Sequence, residues 1–442
     1  MMGTHRSRRR GRWGRRVGRA LGLVGLMTGV IHAERWNQFL GPSRNGVFVT
    51  ASEVEVDASR TEVAVVWSRP AGAGYTTPLC DGGHVWVHGR VGNREQLMKL
   101  GASDGGVVWT TDWAVPFTVA GGGERHGAGP KASPVLIDEV VVTVSIDGTV
   151  RGHDAETGRT LWTSVANRRF GQGHPNWGAS SSPVIVRLAD GTEAVVVRVG
   201  DDDAGQLMSI DPRNGRVRWA VEGPGPSYAS PNVGEFDGVT MVVDWNHETL
   251  VGVDPTDGAT MWSVPFPHVG PDQNSPTPMI ADGVVYLGAE NRGLHAFRPI
   301  KGRGDDGDGS GDGWTAEEVW SRGDRSLNMA TPLVVRGRLF GLSQADRGRL
   351  FCLDAATGET IWESGPRMGQ QANLVAVGDE VWVQMSDGRF IAVPVDGEAF
   401  EPVLEVDLTD HGVQPWLWSP MTPVRGGVLV KDEAAVRRVG WE

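Results

Sequence analysis

Cysteine is nearly missing from this chain of 442 residues, which has only Cys80 and Cys352. Two cysteines exclude a disulfide scaffold and any multi-cysteine zinc or iron–sulfur site. No G-x-S-x-G, H-E-x-x-H, phosphate loop or C-x-x-C-H run occurs, so no nucleophile–base pair, zincin site or haem attachment stands out. Apolar stretches of membrane length are absent as well. The longest, from Ala20 to Ile31, is about a dozen residues against the ~20 that a span needs. Basic residues are scarce after the start. The first 33 residues hold eight Arg and no acid, so the overall −12 leaves −20 for residues 34–442. An acidic body argues against nucleic acid and anionic membrane as partners.

What is present is glycine, 63 residues or roughly twice the usual ~7 % share, and tryptophan, whose 18 copies exceed 11 Phe and 3 Tyr together. A hydrophobic share of 39 % is enough for a sizeable core. The Arg-rich start, the apolar run and then His32-Ala33-Glu34 have the order of a secretory signal peptide, with cleavage expected near Ala33. The protein is therefore expected in the periplasm or outside the cell, with no transmembrane span in the mature chain. No cysteine near the cut offers a lipid attachment point.

A dipeptide recurs along the rest: Thr77-Pro78, Ser133-Pro134, Ser182-Pro183, Ser230-Pro231, Thr277-Pro278, Thr331-Pro332 and Thr422-Pro423, with Ala372-Asn373 in the place of an eighth copy. Spacings of 41 to 56 residues, with several short β-type runs in each, point to a β-propeller. A second signature sets Asp eight and Gly four residues before Trp: Asp154/Gly158/Trp162, Asp211/Gly215/Trp219, Asp254/Gly258/Trp262 and Asp354/Gly358/Trp362. Asp accepts hydrogen bonds from the turn's N–H groups, Gly supplies a positive φ, and Trp offers a flat surface to a neighbouring blade. Runs such as 140–144 and 195–199 read as strands. The last repeat has room for only three strands, and 63–67 precedes the first Thr-Pro with an orphan Trp67. Residues 63–67 are thus expected as the fourth strand of the last blade, closing the ring. The expected organisation is a signal peptide over 1–33, an arm over 34–60 and an all-β, eight-bladed propeller of four-stranded antiparallel blades over 61–442.

These motifs resemble the quinoprotein-type, or PQQ-like, repeat propellers. The family pattern A-x-D-x-x-T-G-x-x-x-W is matched by Cys352 to Trp362 with Cys in the leading slot, and by Gly152 to Trp162 with Gly there. The leader Trp36 to Gly46 looks like the W-x-Q-F-x-G-P-x-R-x-G segment common before such propellers. The resemblance covers about residues 36–442. One branch of the family, the quinoprotein dehydrogenases, implies pyrroloquinoline quinone and Ca²⁺ in the central channel and adjacent cysteines over the cofactor, which this chain lacks. The other branch, the non-catalytic outer-membrane assembly lipoproteins, implies a scaffold without cofactor. The chain resembles that branch in size and departs from it in having no lipobox cysteine. The expected function is a monomeric binding or protein-interaction scaffold. A PQQ/Ca-dependent dehydrogenase of alcohols or sugars and a carbohydrate- or peptide-binding propeller are its rivals.

Loops entering the first strand of each blade should gather around the channel mouth. They place His126, Lys131, His174, Trp177, Tyr228, Asn274, Asn328, Gln371, Trp416 and Trp418 there, as a face for a protein, small-molecule or carbohydrate ligand. Turns between second and third strands should point the same way and would build an acidic rim from Asp147, Asp202, Asp244, Glu290, Asp346 and Asp387. Tight hairpins alone also explain an Asp-Gly pair such as Asp147-Gly148. The insertion from Gly302 to Gly313 resembles a calcium loop, with Asp306, Asp308, Ser310 and Asp312 at alternating positions and Glu317 as the twelfth. A flexible Gly/Asp-rich hairpin extension is the favoured reading of it.

Overall fold

A computed structural model describes residues 35–49, 63–119, 122–270, 273–302 and 313–441. The expected signal peptide lies outside them. Among the described residues the strands form eight sheets, which are the eight blades. Blades 1 to 7 occupy residues 79–114, 135–164, 184–224, 232–265, 279–322, 333–363 and 372–407. Blade 8 takes three strands, Thr422–Val424, Gly427–Lys431 and Ala435–Trp441, and completes itself with Val63–Pro70. Val63 pairs with Trp441 and Pro70 with Ala435. The ring is closed by the strand that the orphan Trp67 announced, and no blade edge is left open at the seam.

Both faces of each blade are covered by its neighbours. All five residues of Val140–Val144 are buried, and so is the whole of residues 194–200 in blade 3. This is why these strands read as unbroken apolar runs rather than as alternation. The core is accordingly a set of layers between blades. One layer joins Val142, Val144 and Trp162 of blade 2 to Val195, Val197 and Met208 of blade 3.

The Asp–Gly–Trp signature is the clip between blades. Gly158, Gly215, Gly258 and Gly358 have φ of 75°, 74°, 79° and 73°. A Cβ on each would strike the Trp ring of the blade before: Trp109, Trp162, Trp219 and Trp320 respectively. Glycine is therefore needed twice, for the turn and for the close approach. The indole N–H then donates to a carbonyl of the same turn, from Trp162 to Pro212 at 2.7 Å, Trp219 to Pro255 at 2.8 Å and Trp320 to Ala355 at 3.0 Å. At the seam Trp67 does the same, resting on Gly105 and donating to Ala102 O at 3.0 Å.

Residues 35–49 thread the channel. Trp36 bridges to Cys80 of blade 1, and Asn37 to Leu136 of blade 2. Gln38 accepts from Ile185 N of blade 3, and Val47–Phe48 adds a parallel fifth strand inside blade 7. At the centre Arg44 is 1 % exposed, with Nη1 donating to Phe39 O and Pro183 O and Nη2 to Ser182 O and Pro231 O. The leader is thus a plug held by successive blades.

Candidate functional site

The Ser/Thr-Pro repeat builds the lining of the channel. Thr77 N–H donates to Ser133 Oγ, Ser133 N–H to Ser182 Oγ and Ser182 N–H to Ser230 Oγ, each at 2.9 Å. Ser230 N–H then donates to Thr277 Oγ1, and Thr277 N–H to Thr331 Oγ1, both at 3.1 Å. Proline after each copy removes a competing donor and fixes φ. The hydrogen bonds run in one direction from blade to blade. Above this ring lies a cavity of about 160 Å³, whose lining includes Phe39 of the plug.

Two aromatic pairs line it. Tyr75 stacks on Trp418 with centroids 5.8 Å apart, and His126 meets Trp418 edge-on at 4.9 Å. Trp177 stacks on Tyr228 at 5.1 Å while its backbone N–H donates to the Tyr228 hydroxyl at 3.1 Å. Burial pushes both phenols well above their ordinary pKa. Trp416 completes the first cluster from outside, donating Nε1–H to Tyr75 Oη at 2.9 Å with the Arg125 guanidinium 5.5 Å from its ring.

The charge in the cavity is basic. Lys131 Nζ donates to Gly127 O at 3.2 Å, and burial lowers its amine to about 8 against an upward pull from Glu433 and Glu95. Burial, with help from Arg125 and Lys131, holds His126 at about 4, so its ring is neutral. Beneath the floor, the Arg44 guanidinium lies 5.1 Å from the Phe39 ring centre, and burial lowers it to about 9. Among the described lining residues there is no carboxylate.

The expected mouth residues therefore divide. His126, Lys131, Trp177, Tyr228, Gln371 and Trp418 line the cavity. His174 stays beside it, bonded to Pro175 O and packed on Phe117. Asn274 is fully buried, donates to Asn246 O and accepts through its own carbonyl from the N–H groups of Tyr228 and Ala229, a loop-bracing task. Asn328 is half-buried next to the lining residue Met329. Among the expected acids, Asp147, Asp202, Glu290, Asp346 and Asp387 lie in turns between second and third strands. Asp346 is paired with Arg349 and Asp387 with Arg389, so these two turns carry their own cations. Asp244 corrects the expectation. It is a buried strand residue paired with Arg198 at 3.3 Å, because Asn246 takes the turn, accepting from Glu248 N and Thr249 N. Asp306, Asp308, Ser310 and Asp312 lie outside the described residues, while Glu317 is exposed in the strand Trp314–Arg322 opposite Arg298.

A family model described as outer membrane protein assembly factor BamB matches residues 51–232, 147–393 and 310–419. The chain belongs to the BamB family. BamB of Bordetella pertussis is 24 % identical over 241 residues, covering 53 % of this chain and 55 % of that one. The chain thus spans just over half the length of that curated relative. The crystal structure of BamB from Moraxella catarrhalis superposes with a TM-score of 0.58 at 15 % identity, covering 86 % of this chain and 98 % of that one. A quinohemoprotein alcohol dehydrogenase from Pseudomonas putida HK5 gives 0.62 at 13 %, covering 92 % and 80 %. At such identities the structures share the fold.

The lining of this BamB-family cavity does not fit the Ca²⁺ of the dehydrogenase branch. Calcium takes six to eight oxygen ligands, carboxylates foremost, and the described lining presents an amine instead. Among the described residues no cluster of three metal-ligating side chains occurs. Cys80 and Cys352 are buried in different blades and form no disulfide, with burial holding the Cys352 thiol up at about 12. Sequence reasoning missed Tyr75 and the leader's Phe39 and Arg44. Two of the chain's three tyrosines line the cavity, a concentration of a rare residue that could have been noticed.

Proposed function

We propose that this protein is an exported BamB-like docking scaffold, working as a monomer and without a catalytic site, that receives a protein partner on the face carrying the cavity. The signal-like start supports export to the periplasm, where the relatives' printed role in outer-membrane assembly belongs. The observation that carries the reading is Trp416. It holds a φ of 80°, unusual for a residue with a side chain, and stays partly exposed in an aromatic cluster with Tyr75, His126 and Trp418. Strain retained at an exposed ring points to a contact surface, and aromatic residues are the usual anchors of such surfaces. A photo-reactive residue placed at Pro415, on this face, should give a discrete adduct in producing cells. The same residue at Asp190, in a turn on the opposite face, should give none. Trp416→Ala should abolish the adduct. Adducts at 190 alone, or a folded protein with none at 415, would sink the reading.

A further inference from the structure

We propose that the cavity above the plug is a binding site for a small acid built on one six-membered ring, with its carboxylate held by Lys131. This goes beyond docking and needs no protein partner. Size is the first argument. A dry cavity of ~150 Å³ takes up benzene, and this one, at about 160 Å³, has room for one ring.

The walls are the second argument. Two aromatic pairs, Tyr75 with Trp418 and Trp177 with Tyr228, line the space together with Phe39. Such surfaces suit a flat body, whether aromatic or a sugar ring stacked on its apolar face.

Charge is the third. Lys131 has three N–H donors and spends one on Gly127 O. Arg44, directly under the Phe39 floor, bonds only backbone carbonyls, with no carboxylate in ion-pair range among the described residues. Lys131 feels the charge of Glu433 and Glu95, yet neither acid lines the cavity, so two of its donors are left for an anion. An anion of a single charge is the complement, and a carboxylate matches an ammonium point charge. Aromatic acids and sugar acids share this chemistry.

The mature protein should be titrated with benzoate, glucuronate, benzyl alcohol and acetate, by calorimetry and by tryptophan fluorescence. One of the two ring acids should bind at least ~10-fold more tightly than benzyl alcohol, the worth of a charge-assisted hydrogen bond, and acetate should not bind. Lys131→Met should erase the preference for the acid and leave the alcohol unchanged. Tighter glucuronate assigns a sugar acid, tighter benzoate an aromatic acid. If Lys131→Met does not fold, protection of Lys131 from acetylation in the unaltered protein by the tighter acid, and not by acetate, reads the same contact. The proposal is overturned if ring acid and alcohol bind equally, if Lys131→Met keeps the preference, if Lys131 acetylates at the same rate with and without the acid, or if none of the four saturates at millimolar concentration.

Discussion

His153 illustrates how a single side chain ties the fold to pH. It is fully buried between blades 1 and 2, stacked on Trp113 at 4.8 Å, with Thr143 Oγ1 and Thr160 Oγ1 at 3.2 and 3.3 Å from its two nitrogens. Burial first, then the charges of His88 and Arg151, lower its pKa to about 3. In the unfolded chain the same ring titrates near ~6.5. Between these values the unfolded state binds the extra proton, so the stability that neutral His153 contributes is present above pH ~6.5 and is lost as pH falls toward 3. His126, at about 4, acts in the same sense. Stability measured by urea should therefore fall below pH ~6 with a slope of about 1.4 kcal/mol per pH unit from His153, and a smaller one from the half-buried His126, whose charge water screens. In His153→Gln the slope should shrink by one histidine's share. An unchanged slope would mean that other groups control acid unfolding. Glu95 works in the same direction at lower pH. Burial pushes it up, but bonds from His88, Ile146 N–H and Ser145 outweigh that and hold it below the usual carboxylate range.

At the scale of the element, the turn and the ring it supports act as one unit. Gly158→Ala places a methyl 2.6 Å from the Trp109 ring and forces an L-residue to φ of 75°. The left-handed backbone alone costs ~1–2 kcal/mol, and the displaced indole adds to it, so a loss of about 3 kcal/mol is expected from the shift in urea midpoint. Gly191→Ala, at φ of 80° with no atom within 4 Å of the added carbon, separates the two terms, because only the backbone cost remains. Equal losses at both positions would show that the indole contact is not part of the clip. These turns were legible from the chain because each is local and repeated: Asp, Gly and Trp lie within nine residues and recur in four copies. The plug was not. Its motif, Trp36 to Gly46, stands out by its residues, yet Trp36, Asn37, Gln38 and Arg44 meet different blades, and no periodicity along the chain announces contacts of that kind. Tyr75 was hidden for a similar reason, since its partner Trp418 belongs to the far end of the chain. Asp244 was misplaced because Asn246, two residues on, does the turn chemistry that acids do in neighbouring blades.

Across the whole molecule, the closing strand decides whether there is a ring. Val63–Pro70 supplies one edge of blade 8, and Trp67 packs on Gly105 and bonds Ala102 O in blade 1. Removing residues 34–68 takes away most of that ladder, the Trp67 contact and the plug together. Loss of one large buried aromatic alone costs about 3–5 kcal/mol. The shortened protein should lose most of its cooperative melting transition, and its hydrodynamic radius should grow as blades 8 and 1 part. A melting temperature within a degree or two of the parent would mean that the ring is sealed by other contacts.

That seam also sets a clock. Val63 cannot find Trp441 until nearly all of the described chain has been released, so the earliest strand of the propeller must wait for the latest. Contacts between residues so far apart in sequence form late and slowly. While the wait lasts, blade 1 keeps the Gly105 turn uncovered and the waiting strand has no ladder. A growing chain therefore offers two unsatisfied edges to its surroundings, and the interval between release and closure is when it most needs protection from aggregation.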